Sequence, residues 1–155
     1  GDPCDVIEGM TIADVATGAT RGYIYLRSEY PQAFATLKEA IANGVTAGVL
    51  GDNILGSGKS FHLEVRLGAG AYICGEETSL LESLEGKRGI VRAKPPIPAL
   101  KGFLGKPTLV NNVMTFTAVP WILEHGAKAY ADYGMGRSPG TPPIQLGRAP
   151  WRERG

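Results

Sequence analysis

Apolar positions in the first third of the chain alternate between helical and strand-like spacing. Residues 5–18 carry apolar side chains at helical spacing, and Gly18 suits the end of that helix. Residues 22–27 are rich in aromatic and β-branched side chains, which favour a strand. A second helix is predicted to begin at Pro31, because proline suits a first helical position, and to end at Asn43–Gly44.

A second strand is predicted over residues 60–67, where the side chains alternate in polarity. The odd-numbered positions from Phe61 to Leu67 are apolar, and the even-numbered positions between them are polar. Strand, helix and strand in this order predict a right-handed βαβ unit in a parallel sheet, so the fold class is α/β. The polar face of the second strand indicates a place near the edge of that sheet.

Glycine- and proline-rich segments separate the remaining elements. A short helix is predicted over Thr78–Leu84 and a last one after Asn111–Asn112, with Pro120 early in it or kinking it. Residues 94–98 contain three prolines and are predicted to form a rigid, extended connector, because proline is excluded from helix interiors and central strands. Residues 136–155 show no periodicity.

Composition excludes several functional classes without identifying one. The 155 residues suit a single domain, and 43% hydrophobic with 20% charged residues can form a packed core. A net charge of +1 with interspersed signs gives no indication of nucleic acid or of an anionic membrane surface, and no apolar stretch has the length of a membrane span. Two cysteines, Cys4 and Cys74, are too few for a disulfide framework or a four-ligand metal site, so no metal site is predicted.

The residues with candidate chemistry lie within the stretch 68–112. Residues 68–71 have almost no side chains, so a flat ligand can approach the backbone closely. Residues 75–77 begin a predicted helix, where N–H groups face outward and the helix dipole tolerates two glutamates. Lys94 projects from the proline connector, and the amides of Asn111–Asn112 suit a heterocycle edge, a ribityl chain or a phosphate. Together these features predict a nucleotide-type pocket.

Each of these features also has an ordinary structural explanation when it is taken alone. Glu76–Glu77 can be a solvated pair in a first helical turn, Asn111–Asn112 a turn or helix cap, and Lys94 a surface charge. Residues 56–60 resemble the end of a phosphate-binding P-loop, but a P-loop follows a buried strand and leads into a helix, whereas this stretch leads into a predicted strand. We therefore interpret it as an ordinary loop, and Cys74 as a small buried hydrophobe.

A longer ordered pattern resembles a known family. Residues 68–89 (GAGAYICGEETSLLESLEGKRG), 94–99 (KPPIPA) and 105–113 (GKPTLVNNV) are similar, in order and spacing, to the flavoprotein subunit of NADH dehydrogenases. Shorter matches lie upstream, for example 23–27 (YIYLR) and 53–58 (NILGSG). The resemblance covers residues 2 to about 146.

The resemblance implies a Rossmann-like FMN-binding domain, with a parallel-type sheet and flanking helices, that is incomplete in this chain. It implies FMN and NAD(H) as cofactors, with NAD(H) stacked over the flavin and electrons passed singly to a [4Fe–4S] cluster. The cofactor-binding residues that it implies are Gly70, Tyr72, Gly75, Glu76, Glu77, Lys94, Val110, Asn111 and Asn112. Of these, Glu77 and Lys94 would lie near the dinucleotide. No residue is predicted to be a catalytic acid or base, because hydride transfer to a flavin depends on positioning.

Parts of the family pattern are not found in this sequence. The family has a glycine-rich dinucleotide loop upstream, and a downstream helical bundle whose cysteines hold the cluster. We therefore expect residues 1–146 to be the central part of the FMN- and NAD-binding domain, residues 147–155 to be an atypical tail, and the [4Fe–4S] cluster to belong only to a missing C-terminal part. On this interpretation the chain alone binds FMN weakly and does not oxidise NADH. Ile97 also departs from the family, which often has phenylalanine there, and it offers an apolar wall without a π-face.

Three stretches favour one complex within the family. Residues 92–98, 127–131 and 136–141 look more like the β subunit of NAD-dependent formate dehydrogenase than like complex I. Complex I and bidirectional NAD-linked hydrogenase are the alternatives, and a non-catalytic interaction fragment is the alternative from another class. The implied partners are NAD(H), an iron–sulfur subunit of the 24 kDa thioredoxin-like type and a larger catalytic subunit, with no nucleic acid and no direct membrane insertion. The expected location is the bacterial cytoplasm, or the membrane periphery if the complex is complex I.

Overall fold

A computed structural model describes residues 2–135 and 138–139, which fall into two compact units. One unit contains the described residues of Gly1–Thr20 and Asn112–Gly155, and the other is Arg21–Asn111. The helices are α1 (Pro3–Thr17), α2 (Pro31–Thr46), α3 (Glu77–Leu84), α4 (Pro98–Lys101), α5 (Val113–His125) and α6 (Ala127–Asp132). The strands are β1 (Arg21–Arg27), β2 (His62–Gly68), β3 (Gly134–Met135) and β4 (Ser138–Pro139). Single 3₁₀ turns lie at Ile54–Gly56, Tyr72–Gly75 and Phe103–Gly105.

The Arg21–Asn111 unit contains the predicted parallel strand pair. β1 and β2 pair in parallel, with the register running from Arg21 opposite His62 to Arg27 opposite Gly68. α2 connects the two strands and packs against β2. The predicted α/β class and parallel sheet are therefore confirmed. The predicted alternation in β2 is present in its first half, where Leu63 is buried between exposed His62 and Glu64, but it is not kept at Leu67, which is 50% exposed.

The ends of α1 and α2 differ slightly from those predicted. α1 begins two residues before Asp5, because Asp2 caps it by accepting a hydrogen bond from the Cys4 N–H at 2.8 Å, and it ends at Gly18 as expected, with φ of 72°. α2 begins at Pro31 as predicted but continues through Gly44 to Thr46. Gly44 is a packing position and not a cap, since a Cβ there would lie 3.0 Å from Cδ1 of Leu50.

The other unit is built on the packing of α1 against α5. Val6, Ile7 and Ala118 are buried in it. Gly9 allows the two helices to approach closely, because a Cβ there would lie 1.9 Å from the carbonyl oxygen of Phe116. Pro120 lies in the interior of α5 and not near its start, which corrects the expectation of an early position.

Several loops and short elements complete the description. The loop 56–60 leads into β2 and not into a helix, so the fold excludes a P-loop at this position, and the Gly58 N–H donates to Asn53 Oδ1 at 2.8 Å. α6 and the β3–β4 pair were not predicted, because elements of six and two residues are too short to show periodicity. Among the described residues, no helix combines the length and the apolar character needed to cross a membrane. The tail 147–155 lies outside the described residues.

Candidate functional site

The candidate site begins where the carboxyl ends of β1 and β2 meet, the edge at which open parallel sheets bind ligands. The chain leaves β2 there through Gly68, whose carbonyl oxygen accepts a hydrogen bond from the Ser28 N–H at 3.1 Å. Gly70 follows with φ of 79°, and a Cβ at that position would lie 3.2 Å from Oε1 of Glu29. Glu29 is itself held in a two-point ion pair, at 3.0 Å from Nε and 2.7 Å from Nη2 of Arg27.

Glu76 caps the amino end of α3. Its Oε2 accepts hydrogen bonds from the N–H groups of Thr78 and Ser79, both at 2.9 Å, and from the Thr78 hydroxyl at 2.5 Å. The Thr78 hydroxyl, the Ser79 N–H and Lys94 together outweigh desolvation and lower the pKa of Glu76 to about 2. The expectation of outward-facing N–H groups at this helix start is therefore wrong for Thr78 and Ser79, because the Glu76 carboxylate already accepts from both. An ionised carboxylate closes this end of α3 to a second anion.

Lys94 is brought to the same place from the proline connector. Its ammonium group lies 3.3 Å from Oε1 of Glu76 and contacts Oε1 of Glu77. The hydrogen bond with Glu77, and secondly that with Glu76, raises the pKa of Lys94. All three side chains are partly exposed, so the group is a charged surface with a net charge of −1. The fold thus joins three of the nine predicted site residues, which we call the Glu76–Glu77–Lys94 group.

A second polar network, which the sequence analysis missed, fixes the connector two residues before Lys94. The Arg92 guanidinium contacts Glu82, lies 2.7 Å from Oε1 of Glu85 and donates to the Gly102 carbonyl oxygen at 3.0 Å. Glu85 also accepts from the Leu104 N–H at 2.8 Å. The available sequence signal was the three-residue spacing of Glu82 and Glu85, which puts two carboxylates on one side of the end of α3.

The segment between β2 and α3 presents an open surface. Tyr72 is 96% exposed. Among the described residues, no neighbouring atom lies within 4 Å of the place where a Cβ of residue 75 would lie, and the φ of Gly75 is outside the left-handed region. Neither packing nor backbone conformation within the chain therefore requires glycine at position 75. Close approach of a flat ligand is a physical reason for a glycine there, so this surface fits a flavin ring.

The last three predicted site residues belong to different units, since Val110 and Asn111 end the Arg21–Asn111 unit and Asn112 belongs to the other. Val110 is half-buried and Asn111 is exposed, and within the described residues no hydrogen bond or ion pair links either of them to the Glu76–Glu77–Lys94 group. Asn112 caps α5, since its Oδ1 accepts a hydrogen bond from the Met114 N–H at 2.9 Å. Asn112 is therefore a helix cap, as its ordinary structural explanation predicted, and its side-chain oxygen is the capping atom.

Comparison with known proteins gives consistent matches. The family model of the Nuo51 FMN-binding domain matches residues 1–121. The chain is 51% identical over 141 residues to the NADP-reducing hydrogenase subunit HndC of Solidesulfovibrio fructosivorans, which covers 91% of this chain and 29% of that protein. It is 53% identical over 133 residues to an NADH-quinone oxidoreductase subunit of Aquifex aeolicus (strain VF5), covering 86% of this chain and 31% of the relative.

A solved structure agrees with the sequence matches. The crystal structure of an NAD⁺-reducing [NiFe]-hydrogenase in the H₂-reduced state superposes with a TM-score of 0.78 and 41% identity, over 89% of this chain and 23% of that chain. The chain thus spans less than a third of the length of these relatives. The family model matches well over half of the residues, so the chain belongs to the family of the Nuo51 FMN-binding domain.

Proposed function

We propose that this chain is part of a flavoprotein subunit that exchanges a hydride between NAD(H) and FMN and relays the electrons to iron–sulfur clusters. The family match supports the FMN site. The names of the relatives support the nicotinamide substrate, because they include an NADP-reducing hydrogenase, an NADH-quinone oxidoreductase and an NAD⁺-reducing hydrogenase. Bound FMN would supply the redox chemistry, since a flavin accepts a hydride and releases its electrons singly.

The residues of this chain then have binding and orienting roles. The open surface at Gly75 and Tyr72, next to a fixed charge, is the observation on which the proposal chiefly depends. Glu76 remains ionised at neutral pH and adds a negative charge that would tune the flavin potential. Glu77 and Lys94 would hold the dinucleotide in position. Gly70, Val110, Asn111 and Asn112 are proposed as further flavin contacts, and no residue is proposed as a general acid or base.

The test is the absorbance spectrum of the complete protein purified from its source. We expect flavin bands that bleach on addition of NADH under anaerobic conditions, together with FMN released in a one-to-one ratio on denaturation. The alternative class, an interaction module without flavin, predicts no visible absorbance and no extracted FMN. A spectrum without flavin would therefore contradict the proposed function directly.

We further propose that the multi-subunit complex to which this subunit belongs is an NAD-dependent formate dehydrogenase. Its support is the resemblance of residues 92–98, 127–131 and 136–141, the last of which lies mostly outside the described residues. Complex I and an NAD-linked hydrogenase are favoured by the names of the relatives. The assembly would include a 24 kDa-type iron–sulfur subunit and a larger catalytic subunit in the bacterial cytoplasm, or at the membrane for complex I. NAD⁺ reduction by the purified complex, measured separately with formate and with H₂, distinguishes the possibilities.

A further inference from the structure

Arg92 connects three parts of the chain next to the candidate site, and the proposed function gives it no role. Its guanidinium contacts Glu82 and Glu85 at the end of α3, before the connector, and the Gly102 carbonyl after it. Arg92 therefore links α3 to the segments on both sides of the connector. The Glu85 side chain is 5% exposed and that of Arg92 is 25% exposed. A partly buried guanidinium with several acceptors holds its backbone far more firmly than an exposed lysine can.

The backbone of Arg92 is fixed as well as its side chain. The Arg92 N–H donates to Thr78 Oγ1 at 2.9 Å, and the same hydroxyl donates to Oε2 of Glu76 at 2.5 Å. The connector is therefore attached to the first turn of α3 through one hydroxyl group. Lys94 follows two residues later and returns to Glu76 and Glu77 at that same turn.

We propose that Arg92 is a positioning residue for Lys94. A lysine side chain has a flexible four-carbon stem, so an ammonium group is held between two carboxylates only if its backbone is anchored nearby. Arg92 and Thr78 provide this anchor, while Glu76 is held independently by the backbone of α3. Loss of Arg92 therefore displaces Lys94 and leaves Glu76 in place.

This inference rests on the proposed function only for its kinetic consequence. If Lys94 contacts the dinucleotide and Glu76 faces the flavin, an Arg92 variant weakens NADH binding without loss of FMN. In the complete protein, Arg92→Met should raise KM for NADH about five- to tenfold, with kcat changed less than about twofold and FMN content unchanged. Arg92→Lys keeps the positive charge but not the forked guanidinium, so its KM for NADH should lie between those of the wild type and Arg92→Met. Lys87→Met is the matched control, because Lys87 also pairs with Glu85 but is 61% exposed and does not hold the connector.

A second measurement does not depend on flavin or turnover. The rate at which an amine-reactive acetylating reagent modifies Lys94, read by mass spectrometry against exposed Lys106, reports how firmly the ammonium is held. Arg92→Met should speed this reaction severalfold, whereas Lys87→Met should leave it unchanged. If Arg92→Met does not fold, the pair Thr78→Val and Thr78→Ser replaces it. Valine removes the hydroxyl that joins Arg92 to Glu76 and should speed acetylation, while serine should preserve the slow rate.

The outcomes separate this inference from the proposed function. Unchanged Lys94 acetylation in Arg92→Met, or equal rates in Thr78→Val and Thr78→Ser, would show that Arg92 does not position Lys94. A normal KM for NADH in Lys94→Met would instead show that Lys94 does not contact the dinucleotide. The acetylation rates would still test whether Arg92 positions Lys94. Loss of FMN together with a normal KM in the remaining holoprotein would mean that Arg92 serves the stability of the fold and not the position of Lys94.

Discussion

Gly70 and Gly75 lie in the same candidate site, but the chain constrains them differently. Gly70 needs glycine for its own backbone, because its φ of 79° is in the left-handed region and Glu29 lies against the place of a Cβ. Gly75 has an ordinary φ and open space around it. A methyl group at each position therefore distinguishes a structural requirement from a ligand requirement.

Gly75→Ala should separate flavin binding from stability. We expect the free energy of unfolding of the flavin-free protein to change by less than about 0.5 kcal/mol, because the added Cβ meets no atom in the part of the chain that the structure describes. FMN affinity should fall at least about tenfold if the ring lies against this backbone. Gly70→Ala is the comparison, and it should lose about 1–2 kcal/mol of stability even without flavin. Equal FMN affinity in wild type and Gly75→Ala would place the flavin elsewhere.

Glu85 should make the stability of the protein sensitive to acid. Burial raises its pKa, but the hydrogen bonds from Lys87, Arg92 and the Leu104 N–H outweigh burial and lower the pKa to about 2. Because the folded pKa lies below the ordinary value of 4.5, the stabilisation is complete above about pH 4.5 and is lost as the pH falls towards 2.

Glu85→Gln tests this dependence by denaturant unfolding at several pH values. The variant should be less stable than wild type by about 2 kcal/mol at pH 7, since it leaves the Arg92 guanidinium with one charged partner fewer. The difference should shrink between pH 4.5 and pH 2. Glu64→Gln, which removes only an exposed pair with Arg66, should cost less than about 0.5 kcal/mol. A difference for Glu85→Gln that stays constant down to pH 2 would contradict this account.

At the scale of the elements, the close approach of α1 and α5 depends on one glycine. A Cβ at Gly9 would lie 1.9 Å from a backbone oxygen of Phe116, which cannot rotate away as a side chain can. Alanine in a helix interior is otherwise favoured over glycine by about 1 kcal/mol. Gly9→Ala should nevertheless lower the free energy of unfolding by about 2–4 kcal/mol, because the two helices must separate. Exposed Ala16→Gly in the same helix should lose about 1 kcal/mol or less.

The elements that the sequence predicts well are those whose pattern is local. Periodicity and a capping glycine are enough to predict α1, and alternation is enough for β2. Gly44 was misread because the residue that packs against it, Leu50, belongs to the following loop. α6 is only six residues long, and it packs through aromatic contacts such as that of Trp121 with Tyr130, which no local pattern records.

The candidate site was predictable as a set of residues but not as an arrangement. The ordered motif predicted Glu76, Glu77 and Lys94 together, although Lys94 lies 17 residues after Glu77. The position of Glu76 as a helix cap follows from its place directly before α3, yet the sequence-based interpretation left the N–H groups of that turn free. Arg92 was missed because its partners are spread from Glu82 to Gly102, and only the fold brings them together.

At the scale of the whole molecule, the described residues of the candidate site provide a surface for the flavin ring but no favourable place for the FMN phosphate at the start of α3. The helix start nearest to the open surface is closed by the Glu76 carboxylate, and the Lys94 charge is shared between two carboxylates. A phosphate group placed there would meet negative charge, and the Thr78 and Ser79 N–H groups already donate to Glu76. Binding energy within these residues should therefore come mainly from the ring, which riboflavin and FMN share.

Titration of the isolated 155-residue chain with both flavins tests this conclusion. We expect Kd values of about 10 μM or weaker for each, differing by less than about threefold, because the start of α3 gives the phosphate no favourable partner. Flavin fluorescence quenching measures both constants under the same conditions, and Gly75→Ala, which should weaken both equally, shows that the signal comes from the proposed surface. Tight, stoichiometric binding of FMN with much weaker binding of riboflavin would mean that this chain contains a phosphate site other than the start of α3. In that case the expectation that the chain alone binds FMN weakly would also be wrong.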